Sequence, residues 1–175
     1  RYIYQYISEK YPEVEVKFDT EKIKLTTIDI EVASENGFPD VESCAEEVLL
    51  ITLQDYATKQ IRTWGRGTFN NKQENVIYKG FNTEYELLTD FIHWWMIEDN
   101  TPEVITGWNS KLYDIPYLCR RIDRILGEKL KKRMSPWGLV TEEETYISGR
   151  KHLSYDIGGV SQLDYLDLYK KFTYK

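Results

Sequence analysis

The chain has 175 residues, 41% hydrophobic and 14% aromatic, enough for one globular domain with a sizeable core. A net charge of −6 argues against a protein that simply coats DNA, but it leaves room for a nuclease, whose metal site itself needs carboxylates. Two distant cysteines, Cys44 and Cys119, and two histidines, His93 and His152, give no zinc spacing and suit a reduced compartment, and the longest apolar run, Phe91 to Ile97, is too short to cross a membrane.

Residues 1–20 hold Tyr2, Tyr4, Tyr6 and Tyr11, then Pro12 and the alternating Val14 and Val16. They read as a linker from a preceding domain with room for a short strand, ahead of a domain over 21–175. The chain starts at Arg1 without an initiator Met and stops in the polar stretch Tyr174-Lys175, as expected of a piece of a longer protein.

Thr26 to Val32 is the first strand of the domain. Side chains alternate along a strand, so Ile28, Ile30 and Val32 share one face and Asp29 and Glu31 the other. Two acids in an apolar strand need a reason, because acids are depleted in strands. One reason is a solvated sheet face. The other is a divalent-metal site, where hard oxygen ligands on a rigid strand hold magnesium or manganese.

Asn36-Gly37 and Pro39 mark a loop over Ser34 to Ser43. Glu46 to Gln54 is a second strand, Asp55 to Lys59 a hairpin connection, and Gln60 to Trp64 a third strand ended by Gly65 and Gly67. Three strands with short loops predict an antiparallel meander. Val76 to Phe81 is a brief strand. Thr83 then opens a helix with Glu86 placed for a capping box. Leu87, Leu88, Phe91, Ile92, Trp95 and Met96 form its apolar stripe to about Glu98, with Trp94 at the edge.

After Pro102, Val104 to Trp108 is another strand, and the strand–helix–strand order predicts a parallel crossover. Asn109 to Asp114 leads into a helix with Pro116 in its first turn, an apolar face of Leu118, Ile122 and Ile125, and Gly127 at its end. The basic run Lys129 to Arg133 reads as a solvated helix end. Thr145 to Leu153 reads as two strands around Ser148-Gly149, and Val160 to Leu168 as a strand rolling into a helix. Mixed strands with flanking helices predict an α/β three-layer sandwich.

Two-metal phosphodiester hydrolysis needs several acids around cations about 3.5–4 Å apart. Asp29 and Glu31 supply part of this. Asp114, after a strand and at a helix start, is the best third acid, although alone it reads more readily as an acid complementing the helix dipole. Asp164 and Asp167 are further candidates that a polar strand face also explains.

Ile28-Asp29-Ile30-Glu31 resembles the first exonuclease motif of family B DNA polymerases, Asp-x-Glu on the first strand. Gly107-Trp108-Asn109-Ser110-Lys111-Leu112-Tyr113-Asp114 resembles their second, Asn-x3-(Phe/Tyr)-Asp. Glu31-Val32 with Gly37-Phe38-Pro39, and Leu163 to Phe172, are similar to replicative polymerases of T-even-like bacteriophages. The resemblance implies an RNase H-like mixed sheet flanked by helices, of the DEDD exonuclease type and truncated at its C-terminal end. It implies 3′→5′ proofreading of single-stranded DNA with Mg2+ or Mn2+, inside a DNA-directed DNA polymerase working in the cytoplasm of an infected bacterial host. Asp29 would bridge both metals, Glu31 would stand on the nucleophile side and Asp114 on the second metal. Asn109 would contact substrate near the 3′ end, and Phe38 would stack on a terminal base. The Thr145–Leu153 hairpin would match the family's strand-separating hairpin. Implied partners are the DNA 3′ end or primer–template, the remainder of the polymerase chain and replisome proteins such as a sliding clamp, with no membrane.

One departure stands out. The family's third motif is Tyr-x3-Asp, and none of the fourteen tyrosines has Asp four residues later. His152-x3-Asp156 is the nearest rival, one residue short of the spacing in histidine-type nucleases. A domain lacking the third motif is expected to be weak or inactive alone. Two other readings remain open at this point: a non-catalytic single-stranded-DNA-binding or scaffold fragment, and an RNA-degrading relative of the same fold.

Overall fold

A computed structural model of the chain describes residues 2–12, 19, 22–35, 37–97, 99–147 and 149–173. Helix α1 (Tyr2–Lys10) occupies what the sequence suggests is a linker, and the strand proposed at Val14 and Val16 lies outside the described residues. Strand β1 (Leu25–Val32) pairs antiparallel with β2 (Val48–Asp55), which pairs antiparallel with β3 (Ile61–Arg66), giving the expected meander. The Asp55 carboxylate caps the hairpin turn, accepting the Thr58 N–H at 2.7 Å and its hydroxyl at 2.8 Å.

Strand β4 (Val76–Phe81) lies parallel to β3, although only residues 67–75 connect them. Parallel pairs ordinarily need a dozen or more connecting residues. The short return is possible because its backbone runs very close to β4: a Cβ on Gly80 would stand 2.1 Å from the Gly67 carbonyl oxygen. Asn71 Nδ2 holds the loop by donating to the carbonyls of Gln73 and Val76 at 2.9 and 2.6 Å.

Helix α2 (Glu84–Trp95) begins with the predicted capping box between Thr83 and Glu86. Leu87, Leu88, Phe91, Ile92 and Trp95 are fully buried. Met96 does not continue the stripe. It is the C-cap and is 38% exposed, because Asn100 and Thr101 take the carbonyls of Trp94 and Trp95 and turn the chain away. The predicted helix end at Glu98 lies outside the described residues.

Strand β5 (Val104–Gly107) pairs parallel with β1, as the crossover rule requires. Helix α3 (Asp114–Leu126) buries Leu118 and Ile122 and ends at Gly127, whose φ of +89 is in the region that favours glycine. Short α4 (Glu128–Lys131) follows, where Lys131 pairs with Asp123 at 2.6 Å and Lys132 with Glu128 at 2.9 Å. Strands β6 (Val140–Ile147) and β7 (Arg150–Ile157) form a separate hairpin, longer at its base than the predicted Thr145–Leu153. The base is held by Glu142, which accepts from Arg120 on α3 and from the Tyr155 hydroxyl. Strand β8 (Ser161–Asp164) returns to pair parallel with β5, then rolls into α5 (Tyr165–Thr173) as predicted.

The main sheet is thus mixed and six-stranded, in the order β4-β3-β2-β1-β5-β8. Helices α2 and α3 pack on the face that carries Ile28, Ile30, Ile51 and Leu53. On the other face of β1, Thr27, Asp29 and Glu31 are exposed, and no residue of α5 is buried. Across the described residues the sheet therefore carries one well-packed helical layer, where a three-layer sandwich would have two. Between α2 and α3 lies a buried ion pair that the sequence did not suggest. Glu84 and Arg121 are 5% and 4% exposed, and the guanidinium donates from Nε and Nη2 to the two carboxylate oxygens. Among the described residues no helix is long and apolar enough to cross a membrane.

Candidate active site

The site forms where β5 stops short of its neighbour. On β1, strand β5 pairs only with Leu25 to Thr27, so β1 continues alone on that side toward Asp29 and Glu31. Gly107 allows the chain to turn there. A Cβ on it would lie 2.6 Å from the Ile28 carbonyl oxygen and 2.8 Å from Ser110 Cβ. The turn brings Asn109 to Asp114 beside the C-terminal half of β1. The orphaned Ile30 N–H then donates to Asp114 Oδ1 at 3.0 Å.

Asn109 has a φ of +59, a left-handed conformation that Asn tolerates better than most residues. Asp164 holds it there. Its carboxylate accepts the N–H groups of Asn109 and Lys111 at 3.0 Å and of Leu166 at 2.9 Å. Asp164 is therefore a buried staple of the loop rather than an open ligand. Asp167 lies exposed on α5 and outside the cleft lining.

Asp29, Glu31, Phe38, Asn109 and Asp114, all singled out from the sequence, line one cleft of about 640 Å³. That size is in the usual range of ~300–1,000 Å³ for small-ligand clefts. No Lys or Arg lines it. The side chains of Asp29 and Glu31 are exposed and make no hydrogen bond or ion pair among the described residues. Phe38 is 82% exposed, and its ring meets Tyr113 at 4.9 Å rather than entering the core. Tyr113 packs in turn on Tyr117 at 5.8 Å. Burial and the nearby charges of Asp114 and Glu31 push the Tyr113 hydroxyl pKa up, which suits packing over reaction.

Two features of the cleft were missed in the sequence. Trp108 forms one wall and is 57% exposed, with Tyr165 and Tyr169 beside it at 5.9 and 5.6 Å. The loop carrying Phe38 is anchored from α3, where Arg120 donates to the Glu42 carbonyl and Arg124 to those of Ser43 and Cys44. Neither arginine has a local signal, since their partners are some 80 residues distant in sequence. The rival pair His152 and Asp156 is not brought to the acids. His152 lines an adjoining cleft with Lys151, Phe38 and Asn109, while Asp156 faces a different pocket.

Asp114 is 4% exposed, and burial is the main reason its carboxyl pKa is pushed up to about 6. The Ile30 N–H opposes the rise, and the charges of Asp29 and Asp164 add to it. The folded state therefore binds this proton more tightly than the unfolded chain does. Its contribution to stability is full below about pH 4 and is lost as pH rises through about 6. Asp114→Asn keeps an acceptor for Ile30 and removes the charge. Without cations it is expected to raise the melting temperature at pH 7.5 by ~4–10 °C and to change nothing at pH 4. Thermal melts in chelator at both pH values check this, and equal melting at pH 7.5 would contradict the burial assigned to the carboxyl.

The hard oxygen donors of Asp29, Glu31 and Asp114 suit Mg2+ or Mn2+, and no cationic side chain competes for them in the cleft. Among the described residues, however, no three acid, imidazole or thiol groups stand close enough to hold one ion together. The donor chemistry fits divalent cations, and the spacing leaves part of their coordination to other groups.

Comparison with known proteins bears on the whole chain. Residues 3–175 match the model of the DNA polymerase family B exonuclease domain. A DNA-directed DNA polymerase of Escherichia phage RB69 is 32% identical over 97% of this chain, and one of Enterobacteria phage T4 is 34% identical over the same share. A DNA polymerase catalytic subunit of human herpesvirus 6B is 32% identical over 85% of it. The chain spans 21% of the length of the two phage proteins and 15% of the herpesvirus one.

Proposed function

The chain belongs to the exonuclease domains of family B DNA polymerases, and on that premise we propose that it forms most of a proofreading 3′→5′ exonuclease site. Its substrate is the 3′ end of single-stranded DNA, supplied by a primer–template, and its product is a nucleoside monophosphate. The rest of a DNA-directed DNA polymerase chain is its partner, and the phage relatives support work in an infected bacterial host, alongside replisome proteins such as a sliding clamp.

The observation that carries this reading is the convergence of Asp29, Glu31, Phe38, Asn109 and Asp114 on one cleft without a basic side chain. A wholly acidic cleft repels phosphate unless cations are present. Asp29 and Glu31, on a strand central to the sheet, would be the rigid ligands for divalent ions, with Asp114 as a further ligand. When bound, such ions supply a nucleophile from water at neutral pH and offset charge on the phosphate. Asp114, with its pKa near 6, must shed the proton it partly holds when a cation arrives, so uptake is coupled to proton release. The exposed ring of Phe38 offers a face to the terminal base, which is sequence-tolerant recognition. Asn109, fixed by Asp164, offers an amide beside it. The β6–β7 hairpin projects beside this cleft, with Lys151 and His152 facing Phe38 across the adjoining one, which suits the role of parting primer from template.

The wide spacing of the carboxylates favours a second reading, a non-catalytic strand-binding scaffold. A 3′-labelled single strand with Mg2+ or Mn2+ separates the two. Slow shortening from the 3′ end that is lost in Asp29→Ala supports the exonuclease. Binding of equal strength with and without cation, and no cleavage, supports the scaffold. Preferential cleavage of an RNA strand would point to an RNA-degrading relative instead.

A further inference from the structure

The carboxylate cleft adjoins a second one, of about 550 Å³, and Phe38, Pro39, Asn109 and Tyr113 line both. The second cleft has two further walls from distant parts of the chain. One is the loop segment Asp40 to Glu42, and the other is Lys151 to Leu153 on β7. Neither belongs to the main sheet, so their separation is set by what ties them to the body of the domain. Strand β7 is seated by Leu153, Tyr155 and Ile157, all buried, whereas Thr141 to Tyr146 of β6 are exposed.

Among the described residues two cationic side chains link the loop to the hairpin. Arg120 on α3 donates from Nη1 to the Glu42 carbonyl at 2.6 Å. From Nη2 it donates to both carboxylate oxygens of Glu142 on β6, at 3.1 and 3.2 Å. Glu142 also takes the hydroxyl of Tyr155, its paired neighbour on β7, so the grip reaches both strands of the hairpin. The other link is weaker. Lys151 Nζ stands 3.9 Å from Glu42 but 2.6 Å from Glu144 within its own hairpin. The shape of Arg120 matters here. A guanidinium is planar, so its two amino groups keep a fixed angle and one cannot swing without the other. An ammonium is a point charge without that fork. The α3 backbone beneath is firm, because the next residue, Arg121, is locked to Glu84 in the core.

We propose that Arg120 is a positioning residue whose forked grip sets the distance between the Phe38 loop and the β6–β7 hairpin, and so holds the second cleft at the width of one DNA strand. The role given to the strand rests on the nuclease reading above. A displaced hairpin turns the guanidinium and releases the Glu42 carbonyl, so the loop carrying Phe38 yields with it. A single strand passes between the walls, and a duplex has to part them against this grip.

Amide hydrogen exchange on the whole chain reads the coupling without DNA. Arg120→Lys is expected to speed exchange ~10-fold or more along β6 and at Ser43 and Cys44, whose N–H groups donate to Asp40, and to leave α2 and β1 unchanged. The Arg120 and Glu142 side chains are 28% and 41% exposed, so their loss loosens these walls without unfolding the domain. Glu142→Ala, a change on the hairpin alone, should quicken Ser43 and Cys44 by ~3-fold or more, and Glu142→Gln, which keeps an acceptor, by less. In the Arg120→Lys background Glu142→Ala should add nothing at Ser43 and Cys44. The second measurement compares binding of a single strand ending in 3′ 2-aminopurine with the same end in a blunt duplex. Arg120→Lys should narrow the preference for the single strand ~3-fold or more, where a merely structural loss would weaken both alike. Faster exchange in one wall only, no crossing from Glu142→Ala to the loop, or an unchanged strand preference each overturns the proposal. A single strand that the unaltered chain fails to bind overturns the nuclease reading instead, and the exchange results then decide whether Arg120 couples the two walls.

Discussion

Glu84→Ala is expected to lower the unfolding free energy by ~3–5 kcal/mol, the cost of leaving a buried charge without its partner. Glu84 accepts from Arg121 at both carboxylate oxygens and also takes the Val48 N–H at 2.9 Å. Arg121 donates further to the carbonyls of Cys44 and Ala45, each at 3.1 Å. One carboxylate therefore ties together the start of α2, the middle of α3 and the segment entering β2. Truncating it strands a guanidinium that is 4% exposed. Glu84→Gln keeps an acceptor for Val48 and should cost less than Glu84→Ala. Equilibrium urea unfolding measures both, and a loss below ~1 kcal/mol would mean that the pair is exposed in solution as surface pairs are. Since the same segment leads back to Phe38, the Ala variant should also loosen the loop over the carboxylate cleft.

That ion pair illustrates where sequence reading reaches its limit. Strand and helix positions were legible because periodicity is local. Ile28 and Ile30 alternate with Asp29 and Glu31, Thr83 and Glu86 form a capping box, and Gly127 ends α3. The cleft residues were legible through two motifs whose acids stand on adjacent parallel strands or just after them. What could not be read was set by packing between distant segments. Glu84 looks like an ordinary acid of a first helical turn until α3 brings Arg121 against it. Asp164 reads as a further candidate ligand that a polar strand face also explains, but β8 delivers it under Asn109, where three N–H groups consume its oxygens. Met96 fitted the helical stripe by spacing, yet the side chains of Asn100 and Thr101 end the helix before it can pack. The parallel pairing of β3 and β4 was hidden for a similar reason, since it depends on the close approach at Gly80.

Asp29→Ala is expected to weaken Mn2+ binding by ~30- to 1,000-fold, with Glu31→Ala and Asp114→Ala close behind. Removing one unit charge about 4 Å from a dication at an effective dielectric of about 40–80, as suits exposed carboxylates, forfeits ~2–4 kcal/mol, and each 1.36 kcal/mol is tenfold. Calorimetric titration reads this directly, and it is a better first measurement than turnover. The sequence contains no Tyr-x3-Asp, so no tyrosine of that motif is available here to orient an attacking water. Cation binding can therefore survive where chemistry is slow. The side chains of Asp29 and Glu31 are exposed and unpaired, so replacing them breaks no protein contact among the described residues, and stability should not fall. This separates them from Asp114, whose replacement by Ala also strands the Ile30 N–H and should melt below the Asp114→Asn variant. Loss of Mn2+ heat in all three variants is the pattern a two-cation cleft requires. Absence of Mn2+ binding in the unaltered chain would leave Asp29 and Glu31 as acids on an open sheet face and would favour the scaffold.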